Sequence, residues 1–243
     1  MNKTKIKLVT LGQLPVEFNR KVIQNHKSGA FELAGQIEAF SLNCDSDGEN
    51  WEFSDILLSG QLPSYDDCDF LIAISNVPLE DNYYTRRLEN NKIIFTFHEI
   101  REYFNHENIP LENMILRLLY GYSLVYRRSG NRIPEIQEFT NFTHDETRGC
   151  LFDMNGIKSD IVKSCVKPII CPECVLRLES EMVSTDYIQC VKKEISKIRK
   201  KLFYRISDYV KSNPIRALLI SGLAAILLGT IGSIIGSWVY EHL

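Results

Sequence analysis

"RGCLFDMNGIKSDIVKSCVKPIICPECVLRL", Arg148 to Leu178, holds four of the chain's seven cysteines: Cys150, Cys165, Cys171 and Cys174. Two of them form a C-x-x-C, Cys171-Pro172-Glu173-Cys174. Cysteines grouped in this way hold a metal, form disulfides or fill a core. The opening "MNKTKIKLVTLGQLP" lacks the apolar run of a signal peptide. That predicts a cytosolic body, where thiols stay reduced. An odd number of cysteines also argues against a disulfide framework. In that setting a C-x-x-C with further cysteines nearby points to zinc or to a redox pair. A redox pair sits at a helix start beside a strand, which the "KPII" before Cys171 permits. Zinc takes four soft or borderline ligands in a tetrahedron. His144, Cys150, Cys171 and Cys174 supply them, as two pairs about twenty residues apart. Cys44, Cys68, Cys165 and Cys190 read as ordinary core or surface thiols.

Outward from this stretch the body reads as α/β. "KIKLVTLG", Lys5 to Gly12, predicts a first strand, and "PVEFNRKVIQNHKSGAFEL" has helical spacing through Phe18, Val22 and Ile23. "CDFLIAISNV", Cys68 to Val77, is a buried strand by its apolar run and closing turn signal. "KIIFTF", Lys92 to Phe97, is β-branched and aromatic, hence another strand. "PLENMILRLLYGYSLVY", Pro110 to Tyr126, predicts a helix opened by proline, with Ile115, Leu118, Leu119 and Tyr122 on one face. Strands separated by helices predict a layered mixed sheet. The polar, acidic residues 43–67 read mainly as loop.

The 243-residue chain is 44% hydrophobic and 24% charged, as a folded globular protein is. Its net charge of −3 conceals an asymmetry. Residues 1–189 carry 19 Lys/Arg against 28 Asp/Glu, whereas residues 190–216 carry nine basic residues against Glu194 and Asp208. An acidic body repels phosphates, so no nucleic-acid partner is expected. The basic neck, 190–213, suits an anionic membrane leaflet. It is amphipathic, with Ile195, Ile198, Leu202, Ile206 and Tyr209 on one stripe, and it could equally pack on the body. Asn213-Pro214 then breaks the helix. "ALLISGLAAILLGTIGSIIGSWVY", Ala217 to Tyr240, is 24 residues without a charge. At ~1.5 Å per residue it spans the ~30 Å hydrocarbon core with some tilt. The expected transmembrane helix is 215–240, with Trp238 and Tyr240 at an interface. The basic flank places the body in the cytoplasm, as a single-pass, tail-anchored protein of the inner membrane. Gly222, Ala225, Gly229, Gly232 and Gly236 share one face of this span, which predicts a homo-oligomer through the membrane helix.

The cysteine stretch resembles the archaemetzincin family of zinc metalloproteases, whose motif is HExxHxxGxxHC-x4-CxM-x17-CxxC. Here the residues read His144-Asp145-x4-Cys150-Leu151-Phe152-x18-Cys171-x2-Cys174, with one residue inserted and Phe152 where Met is usual. "IKLVTLGQLPVEF" is similar to the family's opening strand and turn, and "FLIAISNVPLEDNYYTRRLENNKIIFTF" to its edge of two strands. The resemblance covers Lys5 to Leu178. It implies a metzincin-like mixed sheet and a zinc-stapled subdomain, 141–178, in a body spanning 1–189. It puts Asp145 where the first of four zinc-binding cysteines would stand, and His144 where a catalytic ligand would. Zinc beside thiolates prefers imidazole to a lone carboxylate, which favours His144 over Asp145 as fourth ligand. The family's catalytic HExxH is missing. Its helix would be "ENMILRLLYGYSLVY", which contains no histidine and has only Arg117 and Tyr122 in its place.

These residues lead to a non-catalytic, zinc-stabilised sensor or interaction module on a membrane anchor, with an unidentified protein or small-molecule ligand. One such architecture is an oligomerising membrane effector of bacterial defence. The rival is a membrane-tethered hydrolase. "FHEIREYFNH" would set His98, Glu102 and His106 at i, i+4, i+8 on a helix, although Glu99 beside His98 makes only half of an HExxH. The third reading is a passive membrane scaffold.

Overall fold

The β-branched and apolar runs at the N-terminal end of the chain form one six-stranded sheet. The computed structural model describes residues 2–141, 143–145 and 147–242. Strands β1 (Thr4–Leu11), β2 (Phe31–Leu33), β3 (Glu38–Phe40), β4 (Phe70–Ser75), β5 (Thr85–Leu88) and β6 (Lys92–Thr96) run in the order β2-β1-β4-β6-β5. β2 pairs with the first half of β1 and β3 with its second half. All pairs are parallel except the edge pair β5–β6, so the sheet is mixed. Every residue of β4 is buried, which a parallel strand allows only when both faces are covered.

The first face is covered by α4 (Leu111–Arg128), which lies over Ile6, Leu8, Phe70, Ile72, Ile74, Ile93 and Phe95. This helix is buried nearly all round, which suits its mostly apolar sequence. The second face carries Val9, Leu11, Leu71, Ala73 and Ile94, and it needs its own cover. Residues 43–67 help provide that cover: they are mainly loop, as expected, but they also hold a short helix that the sequence reading passed over. Ser54 caps α2 (Asp55–Gln61) by accepting from the Leu57 N–H at 3.2 Å, and Leu58 buries completely against the sheet. The helix expected from Pro15 is shorter than its spacing suggested. Asn19 caps α1 (Arg20–Gln24), where Ile23 is buried and Val22 exposed, and Phe31 joins the sheet instead.

The described residues form two compact units, one ending at Arg199 and one beginning at Lys200. The first therefore reaches ten residues past the expected boundary at 189. α6 (Thr185–Ile195) buries Tyr187, Ile188, Val191 and Ile195 in the body, and Ile198 follows them. The neck is not one continuous amphipathic helix. Lys167 N–H donates to the Ile198 carbonyl (2.7 Å) and Asn113 Nδ2 to that of Arg199 (3.3 Å). Both carbonyls are thus drawn out of helical pairing. In the second unit, α7 (Leu202–Ser212) presents Leu202, Phe203, Ile206, Tyr209 and Val210 on one exposed face. Asn213 is non-helical, Pro214 takes the first helical position, and α8 runs from Pro214 to Glu241. Its mean hydropathy reaches 2.3, so it is long and apolar enough to cross a membrane.

Glu194 ties α6 to the rest of the body. Its carboxylate accepts from Ser28 Oγ (2.6 Å), Tyr120 OH (2.8 Å) and the Gly29 N–H (2.8 Å). Burial alone would raise this carboxyl, but those donors overcome burial and hold it below its ordinary value of 4.5. A depressed carboxyl stabilises the fold above its unfolded pKa and loses that contribution as pH falls through the folded value. Glu194→Gln is expected to cost about 1–3 kcal/mol near neutral pH and less below about pH 3, by denaturant titration at the two pH values.

Candidate metal centre

Three local devices deliver four ligands to one point. Cys171 is the N-cap of α5 (Pro172–Ser180), with Pro172 at the first helical position, where its missing N–H costs nothing. Cys171 Sγ accepts from the Cys174 N–H at 3.5 Å. This is the N-cap to N3 geometry that serine and aspartate use. The C-x-x-C is thus a hook at a helix start. Cys150 follows Gly149, whose φ of +89° disfavours any side chain and whose added Cβ would lie 3.3 Å from the Lys163 carbonyl oxygen. Leu151 N–H donates to the Ile169 carbonyl (2.8 Å) and Ile169 N–H to that of Gly149 (3.0 Å). That pairing sets Cys150 beside the residues that lead into Cys171. His144 is held by its own short bridge, His144 N–H to Phe152 O (3.0 Å) and Met154 N–H to His144 O (2.9 Å).

The four donor atoms all lie within 4.8 Å of one another. Cys150 Sγ is 3.9 Å from Cys174 Sγ, and Cys171 Sγ is 3.5 Å from His144 Nε2. Ligands about 2.0–2.3 Å from a tetrahedral ion stand about 3.3–3.8 Å apart, so these spacings fit one zinc. A disulfide would need about 2.05 Å, and all seven cysteines are free thiols. The three clustered sulfurs belong to residues no more than 2% exposed.

The electrostatics of the group call for a cation. The hydrogen bond shared by the Cys150 and Cys174 sulfurs pulls the Cys150 thiol well down, against burial, with help from the backbone N–H groups of Cys171 and Phe152. Cys174 is pushed up by that same hydrogen bond and by burial. A buried thiolate needs a positive partner, and His144 Nδ1 is buried with no hydrogen-bond partner. Three sulfurs and one imidazole are a donor set that suits zinc. The set contains His144 and not Asp145, which is exposed and stands outside it.

His98, Glu102 and His106 are not gathered into a ligand set. Helix α3 runs from Ile100 to His106, and Glu99 before it has a φ of 62°. His98 lies ahead of that turn, so the i, i+4, i+8 spacing breaks at its first member. Among the described residues, metal-capable side chains gather only at the His/Cys3 group. Glu99 is instead ion-paired with Lys158 at 2.8 Å.

Sequence reasoning passed over Arg117 except as a failed substitute for a metal ligand. Its guanidinium is buried and anchors the metal-bearing segment to α4: Nε donates to Ser164 Oγ (2.7 Å), and Nη2 donates to the carbonyls of Leu151 and Asp153 (both 3.3 Å). An arginine inside the apolar run "MILRLL" was the available signal.

No family model matches this chain, and no curated protein matches it. Among solved structures, archaemetzincin from Methanopyrus kandleri is similar at 11% identity, over 74% of this chain and 96% of that one, with a TM-score of 0.42.

The purified full chain is expected to carry one zinc by elemental analysis. Cys171→Ser should drop it below half an equivalent and lower the melting temperature, because apparent zinc-binding energies of about 10–16 kcal/mol act as folding energy. His144→Ala should lose the metal, His144→Cys should keep it, and Asp145→Ala should leave it unchanged. Retention of full zinc by His144→Ala would reassign the fourth ligand.

Proposed function

We propose that this protein is a membrane-anchored, non-catalytic module whose body is held together by one structural zinc and works by binding a ligand or partner. The observation that carries this reading is the closed donor set. Catalytic zinc keeps a coordination position open for water or substrate, and structural zinc is filled by four protein ligands. Here four protein ligands converge, the three cysteines buried and His144 half-buried. Helix α4, the long helix against the sheet, bears no histidine. A body of this kind senses or docks rather than cleaves.

The anchor in this proposal is α8. Residues 217–240 carry no charge and extend about 36 Å, enough for the hydrocarbon core. The basic residues Lys201, Arg205, Lys211 and Arg216 precede the span, which supports a cytoplasmic body by the positive-inside bias. The exposed apolar face of α7, backed by those cations, suits the boundary of an anionic leaflet. Gly222, Ala225, Gly229, Gly232 and Gly236 fall within one face of α8, where small residues let neighbouring spans approach closely. Association of spans is then the output step, as in an oligomerising membrane effector.

Two results test this. Peptide digests by the purified chain should show no chelator-sensitive cleavage. Cleavage that is lost on His106→Ala would promote the hydrolase reading. Crosslinking in membranes should capture oligomers that fall away in the double variant Gly229→Ile, Gly232→Ile, which remains membrane-bound. Unchanged oligomers would make α8 a passive anchor.

A further inference from the structure

Beside the metal centre lies a cavity of about 370 Å³, within the range of small-molecule sites. Helix α4 lines it through Arg117, Leu118, Gly121 and Tyr122. The edge strand β5 lines it from Thr85 to Arg87, and the metal-held segment from Leu151 to Met154. The stapled segment is therefore part of the cavity lining.

Three features of this lining point to one ligand chemistry. The first is charge. Arg117 is only 5% exposed and stays protonated at every physiological pH. Its described hydrogen-bond partners are neutral oxygens: Ser164 Oγ and the carbonyls of Leu151 and Asp153. Among the described residues it forms no ion pair, and a buried cation with no counter-charge is costly. Arg86, also in the lining, is already held bidentately by Asp55. The lining holds three guanidinium groups, Arg86, Arg87 and Arg117, and one carboxylate, the buried Asp153, whose Oδ2 has no hydrogen-bond partner. The second feature is apolar area, from Leu118, Val125, Ile136, Phe152 and Met154.

The third is Gly121. Glycine inside a helix is disfavoured relative to alanine, yet Gly121 stands in the middle of α4, and a Cβ built on it would meet nothing within 4 Å. The absent side chain leaves open space on the surface where Arg117 and Leu118 also line the cavity. Neither close packing nor backbone conformation demands glycine here, since its φ is helical.

We propose that this cavity binds a small organic anion, its acidic head on Arg117 and its apolar body in the space that Gly121 leaves open. Three of the five guanidinium N–H groups hold protein oxygens. A remaining N–H and the Tyr84 hydroxyl proton are the donors for the head. The head is a carboxylate or a phosphate monoester, both of which Arg recognises. This deepens the sensor reading above and rests on it: the anion would be the signal that the stapled body receives.

The test is calorimetric titration of the zinc-loaded full chain in nanodiscs with phenylbutyrate, its neutral amide and phenyl phosphate. One of the two anions is expected to bind saturably, and the amide at least about tenfold more weakly. Which anion binds more tightly identifies the head. Gly121→Leu should weaken the preferred anion by at least about tenfold, while zinc content is unchanged and the melting temperature is equal or higher, because leucine is the better helix former. That variant also subtracts partitioning into the bilayer. Equal binding of acid and amide, wild-type affinity in Gly121→Leu, or no binding by any probe would each overturn the proposal. A zinc-loaded chain that binds no probe sinks the cavity reading alone. A chain that holds no zinc sinks the structural-metal reading whatever the probes do.

Discussion

The segment between α4 and α5 cannot hold its own shape by hydrogen bonding. Among the described residues from 129 to 171 the regular element is a 3-10 stretch, Lys158–Cys165, and isolated bridges join other parts. Backbone without a ladder must be fixed by cross-links or packing, or the entropy of ordering it wins. Two restraints do this here. Arg117 takes the carbonyls of Leu151 and Asp153 from the side of α4. The His144, Cys150, Cys171 and Cys174 group ties the middle of the segment to the start of α5. A metal bound there closes loops that the unfolded chain leaves open, so its binding energy becomes folding energy. The cavity lining from Leu151 to Met154, the placement of α5 and the burial of Cys150 all follow from that closure.

Much of this was legible in the sequence because the signals were local. The first strand, the strands at Phe70 and Lys92, the long helix from Leu111 and the apolar C-terminal helix each announce themselves by period or by composition. Three of the ligands were legible from residue type and spacing: the C-x-x-C is a local pattern, and Cys150 stands about twenty residues before it. What failed was non-local. Helix α2 exists because Leu71, Ala73 and Ile94 leave a second sheet face to cover, which no window over residues 43–67 reveals. The neck looked like one amphipathic stripe, but Ile195 and Ile198 point into the body while Leu202 and Ile206 do not, because Lys167 and Asn113 capture the intervening carbonyls. The His98, Glu102, His106 pattern failed on one backbone angle, the positive φ of Glu99.

The two buried polar features play different parts. Three clustered sulfurs with an imidazole have a chemistry that a single soft cation completes, and they close on it from all sides. Arg117 has neutral partners only, so its charge remains available to whatever enters beside it. One centre would build the body, and in the proposal above the other would give that body something to recognise. The second compact unit carries an amphipathic α7 and an α8 long and apolar enough to cross a membrane.

The central claim is that the metal is structural and its coordination sphere is closed. X-ray absorption at the zinc edge of the purified full chain measures this directly. The account predicts three sulfurs at about 2.3 Å and one nitrogen at about 2.0 Å, with the shell unchanged when exogenous anions are added. A shell with fewer than three sulfurs, or with a water oxygen that an added anion displaces, would contradict it.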